Sequence, residues 1–170
     1  EQLLLTVMES VRRLLVSRKD YDAMSELMWC GSVSHSNFTE LGRRKDFSVH
    51  KLGHELSARF DATHAMTLTA LWGSWARHVY RYDAARFAQF AGAIFGIDAG
   101  TDEERARAGI RCMEEFFASI EMPTSLAGLG VIYTRAEPLL RYLQRSASAD
   151  EAVVKFYQEN EFYKISDQKI

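Results

Sequence analysis

The sequence predicts an all-α protein, a single bundle of helices, and three observations support this prediction. The chain has 170 residues, of which 10 are Gly and 2 are Pro, too few for the many tight turns of a β-sandwich or barrel. Apolar residues recur at helical spacing along almost the whole chain. In addition, 47% of the residues are hydrophobic and 26% are charged, which is typical of a folded chain with a core. We expect one helical domain over residues 1–170.

Apolar stripes and the polar breaks between them define the predicted helices. Residues 18–20 break the first stripe from the second, and residues 34–46 form the most polar connection. The first two stripes are Leu3 to Leu15 and residues 22–33. The third predicted helix begins near Asp46 or Ser48 and carries Leu52 and Leu56. The next two carry Met66 to Trp75 and Phe87 to Phe95.

Residues that can cap a helix mark several of the predicted starts. Asp61 stands before the stripe that begins at about His64. Thr101 is followed by three acidic residues, a favourable start for a helix that Pro123 closes. Two further starts are predicted near the end of the chain, one at Thr134 with Pro138, in a helix through Leu143, and one at the capping-box sequence Ser148-x-x-Glu151.

Composition excludes several classes of function. The formal net charge is -2, so we expect no nucleic-acid partner. No apolar stretch approaches the ~20 residues that a membrane span needs. Cys30 and Cys112 lie far apart without a spacing pattern, which argues against a disulfide framework and against a Cys-rich zinc module. We therefore expect a cytoplasmic protein.

The two ends of the sequence resemble cut ends. A helical stripe starts directly after Glu1 without a capping residue, and Ser166-Asp167-Gln168 resembles a helix start just before Ile170. We expect the chain to be part of a longer protein.

Three of the five histidines, His50, His54 and His64, fall within fifteen residues. On a helix, His50 and His54 lie on one face, one turn apart, and a short break then allows the next helix to bring His64 back over them. A cluster of imidazoles suggests a metal site, whereas an i,i+4 pair alone is more often two polar surface residues. The zinc-protease motif is excluded, because Ala58 stands where its second histidine is needed.

Other residues in this region allow two interpretations each. Gly53 within a helix costs about 1 kcal/mol relative to Ala, which indicates close packing by either a crossing helix or a ligand. Trp72 and Trp75 belong either to an apolar substrate pocket or, as their helical spacing favours, to the core. We expect His35 and His78 to be surface or core residues.

The run at residues 46–65, DFSVHKLGHELSARFDATHA, resembles the metal-binding segment of the iron-containing alcohol dehydrogenases, in particular their butanol-dehydrogenase-like, aldehyde-reducing branch. The flanking sequences Met28-Trp29 and residues 86–91 agree with this resemblance, which covers about residues 1–125 well and the rest loosely. The residues that match the family pattern are His50, His54, Glu55, Leu56, Ser57 and His64.

The resemblance implies the C-terminal helical domain of a two-domain dehydrogenase. It implies that His50 and His64 bind a divalent metal, Fe²⁺ or Zn²⁺, and that His54 lies beside the metal as a proton carrier, a hydrogen-bond partner of the substrate or a support for the ligands. The family's other two ligands, in an Asp-x-x-x-His pair, would precede Glu1. NAD(P) would be bound mainly by an N-terminal domain that is absent from this sequence.

The implied reaction is hydride transfer between a small alcohol or aldehyde and NAD(P)H, with the metal polarising the substrate oxygen. We expect the chain alone to be inactive, to expose the apolar face that the absent domain would cover, and to associate, with a homo-oligomer as one form of association. Where many family members have Pro, this sequence has Gly73.

Two alternatives stay open. One is the related helical domain of a dehydroquinate synthase-type metalloenzyme, whose phosphate-bearing substrate calls for additional Arg and Lys; the basic run at residues 43–45 is the candidate, although a solvated loop explains it more simply. The other is a helical interaction module without enzymatic activity, in which the histidines are incidental.

Overall fold

The computed structural model describes residues 1–42 and 46–131, which form helices and short connections without a strand. The prediction of an all-α protein is confirmed. Short 3₁₀ turns at Phe38–Glu40 and Tyr80–Tyr82 follow the second and fourth helices. The helices of these residues are α1 (Gln2–Val16), α2 (Tyr21–His35), α3 (Ser48–Phe60), α4 (His64–Val79), α5 (Ala84–Phe95) and α6 (Asp102–Ser119).

Some predicted features lie outside the described residues. These are the helix starts at Thr134 with Pro138 and at Ser148-x-x-Glu151, and the basic run at residues 43–45.

Side-chain caps begin three of the helices. Asp20 accepts a hydrogen bond from the Ala23 N–H at the start of α2, and Asp83 caps α5 in the same way. At α6, Thr101 and Glu104 form the reciprocal capping box, as the acidic start of this segment predicts. The hydrogen bond from the Thr101 backbone holds the pKa of Glu104 below its ordinary value.

The prediction that Asp61 caps α4 is wrong. Asp61 directly follows α3 and adopts left-handed backbone angles, φ 52° and ψ 33°. Thr63 precedes α4, and its side chain makes no capping hydrogen bond. Only three residues separate the two helices, so the chain must reverse within them, and Asp tolerates the left-handed conformation better than most residues do.

The helices pack mainly as three neighbouring pairs, α1 with α2, α3 with α4 and α5 with α6, and α4 also packs against α6. The core has three parts, all of which contact residues of α4. Their buried members are Leu52, Leu56, Leu71, Leu126 and Val131 in the first; Met8, Ile94, Met113 and Phe116 in the second; and Ala76, Tyr80, Ala106 and Ile110 in the third.

An ion pair joins α4 to α6. Nη1 of Arg77 donates to both carboxylate oxygens of Glu114, at 2.9 and 2.8 Å. Gly73, one turn before Arg77, makes room for this pair, because a Cβ at that position would collide with the Glu114 side chain. The glycine that departs from the family pattern is therefore explained by the carboxylate that packs against it.

Apolar side chains remain exposed on α2. This helix packs chiefly on α1 and on the 3₁₀ turn that follows it. Tyr21, Met28 and Trp29 are 81%, 67% and 67% exposed. Apolar side chains clustered on one helix in this way are typical of a surface that another protein segment covers. None of the helices in the described ranges is both long and apolar enough to cross a membrane.

This surface generates a prediction about association. The isolated chain should associate as its concentration rises, and Met28→Glu should reduce the association, because it places a charge among the exposed apolar groups while keeping a good helix former. Light scattering over a concentration series measures the average mass. Tyr82→Glu, which alters an equally exposed aromatic residue after α4, is the control. A monodisperse monomer of the unaltered chain at high concentration would contradict the prediction.

Candidate metal centre

The structure brings the three predicted site histidines together. The ring centroids of His50 and His64 are 5.5 Å apart, and those of His54 and His64 are 4.8 Å apart. His50 and His54 lie one turn apart on α3, and His64 is the first residue of α4. The tight connection between the helices therefore folds His64 back over both residues of the preceding helix.

A close helix contact fixes this arrangement. A Cβ added at Gly53, between the two α3 histidines, would lie 2.7 Å from Oγ1 of Thr67 and 3.1 Å from Cδ2 of Leu68. Of the two explanations for Gly53, the crossing helix is therefore the one observed. Because no side chain separates the helices here, α3 and α4 approach closely beside the histidines.

Thr67 connects the helix contact to His64. Its side chain is fully buried, and its hydroxyl donates to the carbonyl oxygen of His64 at 2.7 Å. The hydroxyl that packs on Gly53 is thus also hydrogen-bonded to the first residue of α4. This bond lies within α4 and fixes the Thr67 side chain that packs against Gly53.

Asp46 ties the start of α3 to α4. One of its carboxylate oxygens accepts from the Ser48 N–H at 2.7 Å, and the other accepts from Nε1 of Trp75 at 3.2 Å. The ring of Phe47 then packs edge-on against His50, with centroids 5.4 Å apart. Asp46 and Phe47 therefore fix the segment that leads into α3, next to His50.

Burial and neighbouring imidazoles favour the neutral form of His50. Its pKa lies below the ordinary value of 6.5, first because the ring is partly buried and then because protonated His64, His54 and His35 would repel its charge. A neutral imidazole is the form that binds a metal. His35, at the exposed end of α2, is a surface residue as expected and is the smallest contributor to the lowered pKa of His50.

Two buried side-chain atoms near the turn lack hydrogen-bond partners, Nδ1 of His64 and Oγ of Ser57. Imidazole nitrogens are donors that suit Zn²⁺ or Fe²⁺, so the chemistry of the cluster fits such a metal. Within residues 1–42 and 46–131, however, no group of three or more His, Cys, Asp or Glu side chains is arranged to hold a metal ion. The two predicted ligands, His50 and His64, would therefore need further ligands to complete a site.

The other residues considered from sequence take structural positions. Trp72 packs against Phe117 at 5.7 Å between ring centroids and contacts two parts of the core. Trp75 likewise packs against the core, as helical spacing favoured. His78, near the end of α4, stacks edge-on against Tyr82, well along the chain from the histidine cluster.

Sequence reasoning gave no role to Thr67, to Ser57 or to the link between Asp46 and Trp75. The spacing in the sequence could have pointed to two of these residues. Thr67 follows His64 by three residues and Ser57 follows His50 by seven, so each shares a helix face with a histidine. The Asp46–Trp75 bond joins residues 29 positions apart and has no local signature.

Comparison with known proteins finds similar sequences along this chain. The sequence model described as "Fe-containing alcohol dehydrogenase family, C-terminal" matches residues 1–170. The "Probable NADH-dependent butanol dehydrogenase 1" of Bacillus subtilis (strain 168) is 33% identical over 129 residues, which is 75% of this chain and 33% of that relative. The "NADPH-dependent aldehyde reductase YqhD" of Escherichia coli (strain K12) is 32% identical over 85% of this chain and 37% of its own length.

A solved structure agrees with the sequence matches. The crystal structure of NADH-dependent butanol dehydrogenase A from Thermotoga maritima superposes with a TM-score of 0.76 at 26% identity. The match covers 94% of this chain and 37% of that chain. The present chain thus spans about a third of the length of the relatives that it matches.

The contact at Gly53 generates a prediction about stability. Gly53→Ala should destabilise the protein by about 1 kcal/mol, because overpacking costs ~1–3 kcal/mol and the gain in helix propensity is only about 1 kcal/mol. In a Thr67→Ala background the same change should become neutral or stabilising, because the atom nearest to the new methyl group is gone. Urea denaturation of the four proteins measures this cycle. Equal effects of Gly53→Ala in both backgrounds would show that the contact is not limiting.

The lowered pKa of His50 generates a prediction about pH. The unfolded chain takes up a proton at a higher pH than folded His50 does, so the free energy of unfolding should fall as the pH drops below about 6.5 and recover above it. His50→Gln should reduce this slope. His78, whose pKa burial and Arg81 also lower, should account for part of the remainder. Denaturation at a series of pH values measures both slopes, and identical slopes would refute the assignment to His50.

Proposed function

This chain belongs to the Fe-containing alcohol dehydrogenase family, and we propose that residues 1–170 form the helical metal-binding domain of an NAD(P)-linked alcohol dehydrogenase or aldehyde reductase. The observation that carries the proposal is the convergence of His50, His54 and His64 in a chain that the family's C-terminal sequence model matches throughout. The names of the relatives point to small alcohols or aldehydes as the substrate class.

In this proposal, His50 and His64 bind the divalent metal, Fe²⁺ or Zn²⁺. Their rings lie on facing helices, and the low pKa of His50 keeps a lone pair available near neutral pH. When bound, the metal would supply a Lewis acid for the substrate oxygen. The contact between Gly53 and Thr67 holds the two imidazoles in place, so binding would need little rearrangement of the helices.

His54 has a different proposed role. Its ring lies 4.8 Å from that of His64, and the side chain is exposed. An exposed imidazole beside the ligands can donate a hydrogen bond to the substrate oxygen and exchange its proton with solvent. We therefore assign His54 to proton transfer, not to metal binding.

The nicotinamide cofactor would be bound mainly by polypeptide outside this sequence, because the chain spans only about a third of its NADH- and NADPH-dependent relatives. We accordingly propose that residues 1–170 are inactive alone. The dehydroquinate synthase-type alternative has less support, since the matched family is that of the alcohol dehydrogenases.

Metal binding tests the ligand assignment. Calorimetric titration of the chain with Zn²⁺ should detect weak binding, since two imidazoles provide only half of a tetrahedral site. His50→Ala and His64→Ala should each abolish the binding, whereas His54→Ala should retain most of it. His78→Gln, a histidine variant away from the cluster, is the matched control. Unchanged binding in the His50 and His64 variants would overturn the assignment.

Activity tests the reaction. The complete polypeptide that contains this chain, loaded with Fe²⁺ or Zn²⁺, should oxidise NADH or NADPH when a small aldehyde such as butanal is added. His54→Ala should lower kcat by roughly 10²–10⁴, the usual contribution of general acid–base catalysis. The 170-residue chain should give no turnover. Turnover by that chain alone, or none by the loaded complete polypeptide with either cofactor, would contradict the proposal.

A further inference from the structure

The register of α3 and α4 places Ser57 and His64 at the same end of the helix pair. Gly53 of α3 packs against Thr67 of α4, so the helices face each other at these two residues. Ser57 follows Gly53 by about one turn of α3, and His64 precedes Thr67 by about one turn of α4. Both residues therefore lie nearer to the connection between the two helices. Seven residues bring a helix back to within about 20° of the same direction, so Ser57 also shares the face of His50.

Both residues carry a buried polar atom without a hydrogen-bond partner. These atoms, Oγ of Ser57 and Nδ1 of His64, are the buried side-chain nitrogen and oxygen atoms of the described ranges that are left unsatisfied. Buried polar groups are almost always hydrogen-bonded, and each exception calls for an explanation. Two exceptions at the same end of one helix pair have a common explanation if each can serve the other.

The chemistry of the two groups is complementary. A serine hydroxyl can accept a hydrogen bond, and a neutral imidazole carries one N–H. If the proton is on Nδ1, the lone pair on Nε2 is free for a metal, and metal-binding histidines usually donate their other N–H to an oxygen. The two atoms are not hydrogen-bonded to each other in this structure, so joining them takes either another rotamer of Ser57 about its Cα–Cβ bond or one bridging water.

We propose that Ser57 is the positioning residue of His64: its hydroxyl oxygen accepts a hydrogen bond from Nδ1–H, directly or through one water, and fixes the tautomer that presents Nε2 to the metal. The metal in this statement rests on the proposed function. The hydrogen bond and the tautomer do not, because they concern only the two side chains.

The tautomer can be measured without metal. Long-range ¹H–¹⁵N correlation spectra of the ¹⁵N-labelled chain at about pH 8, above the usual imidazole pKa, distinguish the two neutral forms of each histidine. The His64 signals are assigned by their loss in His64→Gln. We expect His64 to be mainly Nδ1–H in the unaltered chain and to shift towards Nε2–H, the form that free side chains favour in water, in Ser57→Ala.

Two further variants separate this role from a general effect on folding. Ser57→Thr keeps the hydroxyl and should restore the Nδ1–H tautomer. Ser74→Ala removes another buried serine hydroxyl, farther along α4, and should leave His64 unchanged. An Nε2–H tautomer in the unaltered chain, or the same tautomer in Ser57→Ala as in the unaltered chain, would overturn the proposal.

Metal binding by the same proteins gives the second readout. The affinity for Zn²⁺ should fall about tenfold in Ser57→Ala and recover in Ser57→Thr, as for other residues that orient metal-binding histidines. Unaltered affinity in Ser57→Ala would overturn the positioning role. If the unaltered chain binds no Zn²⁺ while the tautomer depends on Ser57, the proposed function fails and the hydrogen bond stands, so the two failures are distinguishable.

Discussion

The contact between Gly53 and the Thr67 hydroxyl is the constraint on which the histidine cluster depends. Any larger side chain at position 53 would have to displace a fully buried threonine that is hydrogen-bonded to the His64 carbonyl. Glycine is unfavourable within a helix, at a cost of about 1 kcal/mol. This cost is offset by the close approach of α3 and α4, which brings imidazoles from two helices within reach of each other. Gly53 therefore weakens α3 locally and also allows the histidines of α3 and α4 to come together.

The cluster makes physical sense as a site for a cation only while its imidazoles are neutral. Three rings this close repel one another when protonated, and burial adds to that penalty at His50. The surrounding helices resist expansion because α4 is held from several sides, by Asp46 through Trp75 and by Glu114 through Arg77. Because the helices cannot easily move apart, the environment of His50 favours its neutral form, which has a free nitrogen lone pair.

Local signals in the sequence were sufficient for the helices and for the approximate place of the histidines. Stripe periodicity located six helices, and the acidic start after Thr101 is the observed capping box. Asp61 shows the limit of such reasoning, because Asp is common both as a helix cap and in turns. Only the length of the connection between two helices decides which of these positions it takes. The bond between Asp46 and Trp75 depends on how two helices pack, which no local pattern encodes.

Two features of this domain call for additional polypeptide. One is the exposed apolar face of α2, and the other is the proposed metal site, which has only two ligands in this chain. Tyr21, Met28 and Trp29 offer apolar area that nothing in the described residues covers. In the proposed function, His50 and His64 are two of the metal ligands, and no group of three or more potential ligands is assembled in the described residues. Under the proposed function, both have the same cause, since relatives of this chain are about three times as long. Under this proposal, polypeptide outside this sequence would both cover the apolar side chains of α2 and supply the remaining metal ligands, so that completing the fold and completing the site would be coupled.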